Sequence, residues 1–538
     1  MSLLPHWSSL SLPQQVAQLL VVRASGHLFD QQIQYPAWEP TAATLRHWIQ
    51  DLGVGGVILL GGSAAELALR TQQLQQWARI PLLLAADIEE GVGQRFAGAT
   101  EFPPPMALGE IAKTNEEWAI ALAAAMGATT AQEALAIGLN WILAPTCDVN
   151  NNPANPVINV RAFGETPAQV SPLVTAFIQG VHRFPALTCA KHFPGHGDTT
   201  TDSHLDLPLI PHAWQRLRQV ELPPFQAAIA AGVDAVMSAH LLIPALDEQF
   251  PATLSHRILT EELRANLGFS GLVVTDALVM GAIANRYGAN EAPVMAVEAG
   301  ADILMMPIDP PGAIQALCDA VESGRIGRDR LHASLQRIWQ AKQKVWASVS
   351  GDATHAWENL PAPPIQLEQI AQPAAIATSQ QIVQAAMRVH RLTPSRFTPR
   401  SPARNLILLD DALNCDVLPP TAAAVALPQQ WGYTLQVIDR HTPLVPLPVP
   451  GEGQPTLLQL FIRGNPFRGS AGLSQTAKDW FTALVTSQQL QALVVYGSPY
   501  ILEALLPELP ADVPYVFSYG QMPQAQAIAL KTLLGSAG

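Results

Sequence analysis

Short apolar runs recur along the first part of the chain, at 17–22, 54–60, 82–85, 141–144, 187–190, 235–239, 272–275 and 303–306, each bounded by Gly, Pro or polar positions. They are apolar at successive positions rather than at alternate ones, so each predicts a strand buried on both faces. Between most of them lie segments of helical periodicity, at 41–51, 64–78, 116–136, 168–182, 213–231 and 291–299. Alternating strand and helix with doubly buried strands predicts a parallel sheet, and eight such units in about 300 residues match a (β/α)8 TIM-type barrel.

The polar residues that follow these runs carry the functional signal, because a barrel of this kind places its chemistry where its strands finish. The third run ends at Asp87, the fourth leads to Asp148, the fifth to Lys191 and His192, the sixth to His240 and the seventh to Asp276. One such residue is ordinary loop polarity. Five successive ends of this kind point to an active site.

Beyond residue 345 the pattern changes. Residues 346–366 are rich in Ser, Pro, Ala and Gly and read as a linker. A helical stretch is expected at 367–389 and another at 476–490, with strands at 406–409, 457–461, 492–496 and 513–518, which together predict a smaller three-layer α/β domain over 367–538. The barrel domain accordingly spans 1–345. The Gly-containing turn at 451–453 matches neither a phosphate loop nor a dinucleotide fingerprint, so no cofactor is expected there. Residues that touch a ligand are all expected before Val345, since the second region has few clustered His, Asp or Glu.

The chain's 538 residues exclude a single small domain, and 46 prolines without a Gly-X-Y period exclude collagen and mark rigid loops. The 30 basic against 43 acidic side chains give a net charge of -13, with no basic cluster for phosphate, so nucleic acid is not an expected partner. Cys147, Cys189, Cys318 and Cys415 stand singly, without metal spacing, and read as reduced packing residues. Neither a leader-like start nor an apolar stretch of about 18 residues is present, so the expectation is a soluble cytoplasmic protein with no membrane partner. Nothing in the pattern fixes an oligomeric state.

The densest chemistry follows the fifth strand: Lys191, His192, Phe193, Pro194, Gly195, His196, Gly197, Asp198 and Thr199, then Asp202, Ser203 and His204. Glycine and proline on either side of a histidine exclude a helix interior, so this is a tightly folded loop. Two chemistries fit. His192, His196 and His204 with Asp198 or Asp202 could ligate a metal, although the residues after the first strand, Arg23 to His27, offer one histidine where a metallohydrolase barrel usually has a pair. In the other, preferred reading no metal is bound, and Asp202 fixes the tautomer of His204 and makes it a proton donor near neutral pH.

These residues give the chain a resemblance to glycoside hydrolase family 3, in its β-N-acetylglucosaminidase branch. The run from Lys191 to Thr199 matches the family's motif completely, and the triplet Asp202, Ser203, His204 marks the branch. Residues 159–164 resemble the family's Arg-Ser-Phe-Gly segment, with Ala162 in place of the serine, and residues 274–278 resemble its nucleophile strand. The resemblance covers most of residues 10–345. It implies a retaining exo-acting glycosidase for terminal β-linked N-acetylglucosamine, acting on cell-wall or chitin fragments. It further implies that Asp276 is the nucleophile, that His204 is the acid/base with Asp202 as its partner, and that Asp87, Arg95, Arg161, Lys191 and His192 hold the sugar. His196 and Asp198 are expected to shape the loop, with a contact to the lysine, and His240 to line the pocket wall. One departure stands out: the family's Asp-X-Glu-Gly-Gly appears here as Asp87, Ile88, Glu89, Glu90, Gly91, so that Glu90 replaces a glycine. Three other readings compete: a phosphorylase using the same residues, a metal-dependent barrel hydrolase, and a sugar-binding module with a degenerate site.

Overall fold

The computed structural model describes residues 4–203, 206–346, 365–391, 402–413, 415–443, 445–450, 453–464 and 471–535. The first domain is built on eight strands: β1 (Leu20–Ser25), β2 (Gly56–Leu60), β3 (Leu83–Ala86), β4 (Trp141–Ile142), β5 (Cys189–Phe193), β6 (Ala235–Ser238), β7 (Leu272–Thr275) and β8 (Leu304–Met305). Parallel ladders run β4-β3-β2-β1-β8 and β5-β6-β7. Single parallel bridges at Trp141↔Leu187 and Val274↔Ile303 join the two arcs into a ring. Neighbours around it follow chain order, as short right-handed strand–helix–strand crossovers require. The strands are buried along nearly their whole length, which is why they read as unbroken apolar runs.

Local chemistry sets several boundaries. The helix Glu116–Ala136 starts where Asn115 accepts a hydrogen bond from the Trp118 amide and two glutamates occupy the first turn. Ser63 and Glu66 form a reciprocal capping box at the start of Ala64–Trp77. The helix expected at 213–231 is two helices, Trp214–Gln219 and Leu222–Ala230. Pro223 and Pro224 explain the break, since neither can donate to the preceding turn, yet both fit the first turn of a new helix. The first strand begins three residues later than expected, because Ala17 closes the helix Leu12–Ala17, which a Ser11–Gln14 capping box starts. The fifth strand also lies further along than expected. Lys191 and His192 therefore belong to β5 itself, at a register shift between Lys191 and Phe193 in its pairing with β6. Such a bulge re-aims neighbouring side chains.

The second domain carries a six-stranded sheet in the order β11 (Tyr433–Ile438), β10 (Ala403–Leu409), β12 (Thr456–Ile462), β13 (Leu490–Gly497), β14 (Tyr515–Ser518) and β9 (Arg388–His390). All pairs are parallel except β14 with β9. Alternate residues of β10 enter different cores: Leu406 and Leu408 join the cluster that also contains the barrel core, while Ile407 and Leu409 join a second one. Both sheet faces are therefore covered. The helix expected at 367–389 is shorter, Pro373–Ala386, and Val389 lies in β9 instead. The linker expected at 346–366 lies outside the described residues from 347 to 364. Among the described residues, no helix is long and apolar enough to cross a membrane.

Candidate active site

Two carboxylates and two cations meet above β3 and β5. Lys191 Nζ lies 2.7 Å from Asp87 Oδ1 and 2.6 Å from Glu89 Oε1. Arg161 grips Glu89 with both arms of its fork, Nε to Oε2 at 2.9 Å and an Nη to Oε1 at 2.7 Å. The side chains of Lys191 and Glu89 are 1% and 3% exposed, whereas that of Asp87 is 36% exposed. The set is charge-balanced, which is what allows ionised groups to remain buried. Burial opposes the charge on Glu89, but Arg161 and Lys191 outweigh it and hold the carboxyl well below its ordinary range. Burial likewise opposes the charge on Lys191, and Asp87 and Glu89 reverse the effect and raise its pKa. The arrangement holds one partly open carboxylate, Asp87, on a buried scaffold of fixed charge. Such a carboxylate can accept hydrogen bonds from two neighbouring hydroxyls.

Beside it, Asp148 holds His192 and the loop that follows. Its Oδ2 lies 2.8 Å from His192 Nδ1, and its Oδ1 accepts from the backbone amides of His192 at 3.3 Å and His196 at 2.6 Å. Burial pushes the Asp148 carboxyl up, but the charge and hydrogen bond of His192 outweigh it and lower the pKa. With Nδ1 turned to Asp148, the Nε2 of His192 is the ring atom left to meet a ligand. The loop is closed by Asn155, which sequence reading missed: its side-chain amide donates to the carbonyls of His196 at 2.8 Å and Gly197 at 2.9 Å. Gly197 packs on the Val149 backbone, where any Cβ would collide.

His196 is buried, with Nδ1 2.9 Å from Thr199 Oγ1 and Nε2 3.1 Å from Ser203 Oγ, and burial lowers its pKa to about 4. The sign for stability follows. Below the ordinary value of 6.5 the unfolded chain takes up a proton that the folded loop refuses, so stability falls as pH drops from 6.5 towards about 4. His196→Gln is expected to flatten that limb, and urea midpoints measured at steps across this range would show it. An unchanged slope would mean that other groups set the acid sensitivity.

Asp198 differs from expectation. It pairs with His212 at 2.8 Å, not with Lys191, whose ammonium Asp87 and Glu89 already satisfy. Arg95 is exposed and donates to the backbone carbonyl of Asp87 at 3.1 Å, so it braces the loop at this point. His240 is buried, its Nδ1 2.8 Å from Thr253 Oγ1 and its Nε2 3.0 Å from the Ala277 carbonyl, which anchors the residue after Asp276. Asp276 itself is half-buried at the end of β7, where Oδ1 accepts from the Ala277 amide at 2.7 Å. It follows β7 as Asp87 follows β3, so both stand at the ends of parallel barrel strands. Asp202 is buried on that loop, and His204 lies outside the described residues. Of the alternative metal set, His192, His196 and Asp198 each turn to a partner of their own.

A cavity of about 320 Å3 adjoins the ends of β1 and β8, lined among others by Arg23, Trp38, Glu39, Val279, Met306 and Ile308. Arg23 pairs with Glu39 at 3.0 Å beneath the rings of Tyr35 and Trp38, at 5.0 and 5.4 Å. Sequence reading gave this loop no role, because its parts are sixteen residues apart and follow no motif.

Comparison with known proteins agrees with this architecture. The model of the glycosyl hydrolase family 3 N-terminal domain matches residues 11–341, and that of the bacterial glycosyl hydrolase family 3 C-terminal domain matches residues 397–535. The chain is 34% identical over 333 residues to β-hexosaminidase A of Pseudoalteromonas piscicida, covering 56% of this chain and 55% of that protein, so it spans about half of that relative's length. It is 33% identical over 314 residues to a β-hexosaminidase of Stenotrophomonas maltophilia (strain R551-3), covering 58% of this chain and 91% of that protein. A solved family 3 β-N-acetylglucosaminidase from Paenibacillus sp. strain FPU-7 superposes with a TM-score of 0.77 at 30% identity, over 98% of this chain and 97% of that one.

Proposed function

The chain belongs to glycosyl hydrolase family 3, and we propose that it is a retaining exo-β-N-acetylglucosaminidase. The observation that carries this reading is the half-open Asp87 carboxylate on its buried Lys191–Glu89–Arg161 scaffold, on the same strand-end face as Asp276. That scaffold would grip the hydroxyls of a terminal sugar, with His192 donating or accepting beside it. The Asp276 carboxylate would attack the anomeric carbon as the glycosidic C–O bond breaks, and His204, oriented by Asp202, would protonate the departing oxygen. His204 would then take a proton from water as that water displaces Asp276, which restores the original anomeric configuration. A single proton donor and a single nucleophile on opposite sides of the bond meet the requirement that paired carboxylates meet in most glycosidases.

The similarity to β-hexosaminidases and to a solved β-N-acetylglucosaminidase supports N-acetylglucosamine as the sugar, and cell-wall or chitin fragments are its proposed source. The four cysteines are all free, which supports a reducing, cytoplasmic setting. The full chain is expected to release nitrophenol from 4-nitrophenyl N-acetyl-β-glucosaminide far faster than from the β-glucoside, with the β-anomer as first product by NMR. A faster reaction on the glucoside would overturn the sugar assignment. Added inorganic phosphate is expected to change neither rate nor product; appearance of the sugar 1-phosphate would make the enzyme a phosphorylase.

A further inference from the structure

The glutamate that replaces a family glycine has a partner in the other domain. Arg463, immediately after β12, reaches Glu90 with both arms of its fork, at 2.7 Å to Oε1 and 3.1 Å to Oε2. Glu90 is buried, and Arg463 is only 17% exposed. The next residue, Gly464, lies against a second sugar-site loop, where an added Cβ would sit 2.9 Å from Asn159 Cβ and 3.1 Å from the Pro156 carbonyl. The tip of β12 thus touches the Asp87 loop and the loop that carries Arg161.

Glu90 is covalently next to Glu89, the carboxylate shared by Arg161 and Lys191, and three residues from Asp87. Its backbone is held as well, the amide donating to Gln94 Oε1 at 3.0 Å and the carbonyl accepting from the Phe102 amide at 2.8 Å. Gly91 follows with φ +83, a conformation that lets the chain turn away and leaves the Glu90 side chain facing the second domain. We propose that Arg463 is a positioning residue for sugar binding: through Glu90 it fixes the loop that presents Asp87 and Glu89, so that the second domain completes the sugar site without touching the sugar. Glu101 lies beside the pair, and burial and the charge of Glu90 raise its pKa to about 8. At neutral pH it is protonated and leaves Arg463 to Glu90.

The proposal rests on the glycosidase reading, which wild-type turnover tests by itself; the ratio of variant to wild-type KM tests this one. Asp87 would hold the sugar equally before and during bond breaking, so loosening its loop should raise KM and spare kcat. A residue that only glues domains together would instead lower the melting temperature or the active fraction and leave KM alone. In the full-length enzyme, Arg463→Met is expected to raise KM for 4-nitrophenyl N-acetyl-β-glucosaminide about tenfold, with kcat within about threefold of wild type. Arg463→Lys, which keeps the charge but not the fork, should raise it by about threefold. The paired Glu90→Gln, Arg463→Gln variant removes both buried charges, so it folds without an orphaned ion, and should still show the raised KM. A KM within twofold of wild type in the lysine variant and the paired variant would overturn the proposal, whatever the stability of Arg463→Met.

Discussion

Asp276→Asn is expected to remain folded and to lose at least about a thousandfold in kcat/KM. The side chain is half-buried and its structural bond, accepted by Oδ1 from the Ala277 amide, survives in the amide. What disappears is the negative charge that makes the carboxylate oxygen nucleophilic towards the anomeric carbon. Melting temperature should therefore move by a few degrees at most, as expected for a near-isosteric change. If Asp276 is the nucleophile, a small anion can substitute for it in a variant with room to admit one. Asp276→Gly with added azide should recover turnover and yield the α-glycosyl azide, since one displacement replaces two. A β-azide would assign Asp276 to the proton-transfer role instead.

Glu89→Ala should carry the second largest effect, and it should appear in stability as well as in activity. The substitution takes the bidentate partner from Arg161, now held at 2.7 Å, and leaves Lys191, now held at 2.6 Å, with Asp87 alone. Breaking a buried pair in this way costs about 3–5 kcal/mol, more than either interaction contributes in place. The urea midpoint should fall accordingly, and kcat/KM should drop on the order of a hundredfold as Lys191 loses its second anchor and Asp87 shifts. Glu89→Gln keeps the shape and should fall between the two. The pH dependence has a definite sign. The folded pKa of Glu89 lies well below its ordinary 4.5, so its stabilising charge is fully present above that value and is lost as pH falls through the folded value. The stability gap between wild type and Glu89→Gln should be widest near neutral pH and narrow in acid. A constant gap would mean that Glu89 contributes shape rather than charge.

What could be read from the sequence follows the physics of each feature. The barrel strands were legible because a parallel strand buried on both faces must be apolar throughout, and β7 appears at its expected bounds, Leu272–Thr275. The helix Glu116–Ala136 was equally plain, since Asn115 caps a long alanine-rich stretch of strong helix formers. The proximity of Asp87 and Lys191 could be read from their places at strand ends. The role of Glu89 could not, because its partners Arg161 and Lys191 are far along the chain and a carboxylate in a polar loop carries no periodic signal. Asn155, which ties the β5 loop, and the Arg23–Glu39 pair beneath Tyr35 were hidden for the same reason. Some misses were legible in principle. The capping box at Ser11 and Gln14 and the two prolines at 223–224 are local signals that outrank the apolar pattern around them. In the sequence Glu90 is only an anomaly, and Arg463 supplies its physical reason: a charge replaces a glycine where the second domain brings the opposite charge.

Trapping the proposed covalent glycosyl-enzyme on Asp276, formed from an N-acetylglucosaminide, would decide the nucleophile and the sugar together. Incubation with 5-fluoro-N-acetyl-β-glucosaminyl fluoride, whose intermediate turns over slowly, followed by peptic digestion and mass spectrometry, should give one labelled peptide. The added sugar mass should fall on the peptide containing Asp276, with fragment ions placing it on that carboxylate. A label on any other residue, or inactivation without a covalent adduct, would contradict this assignment.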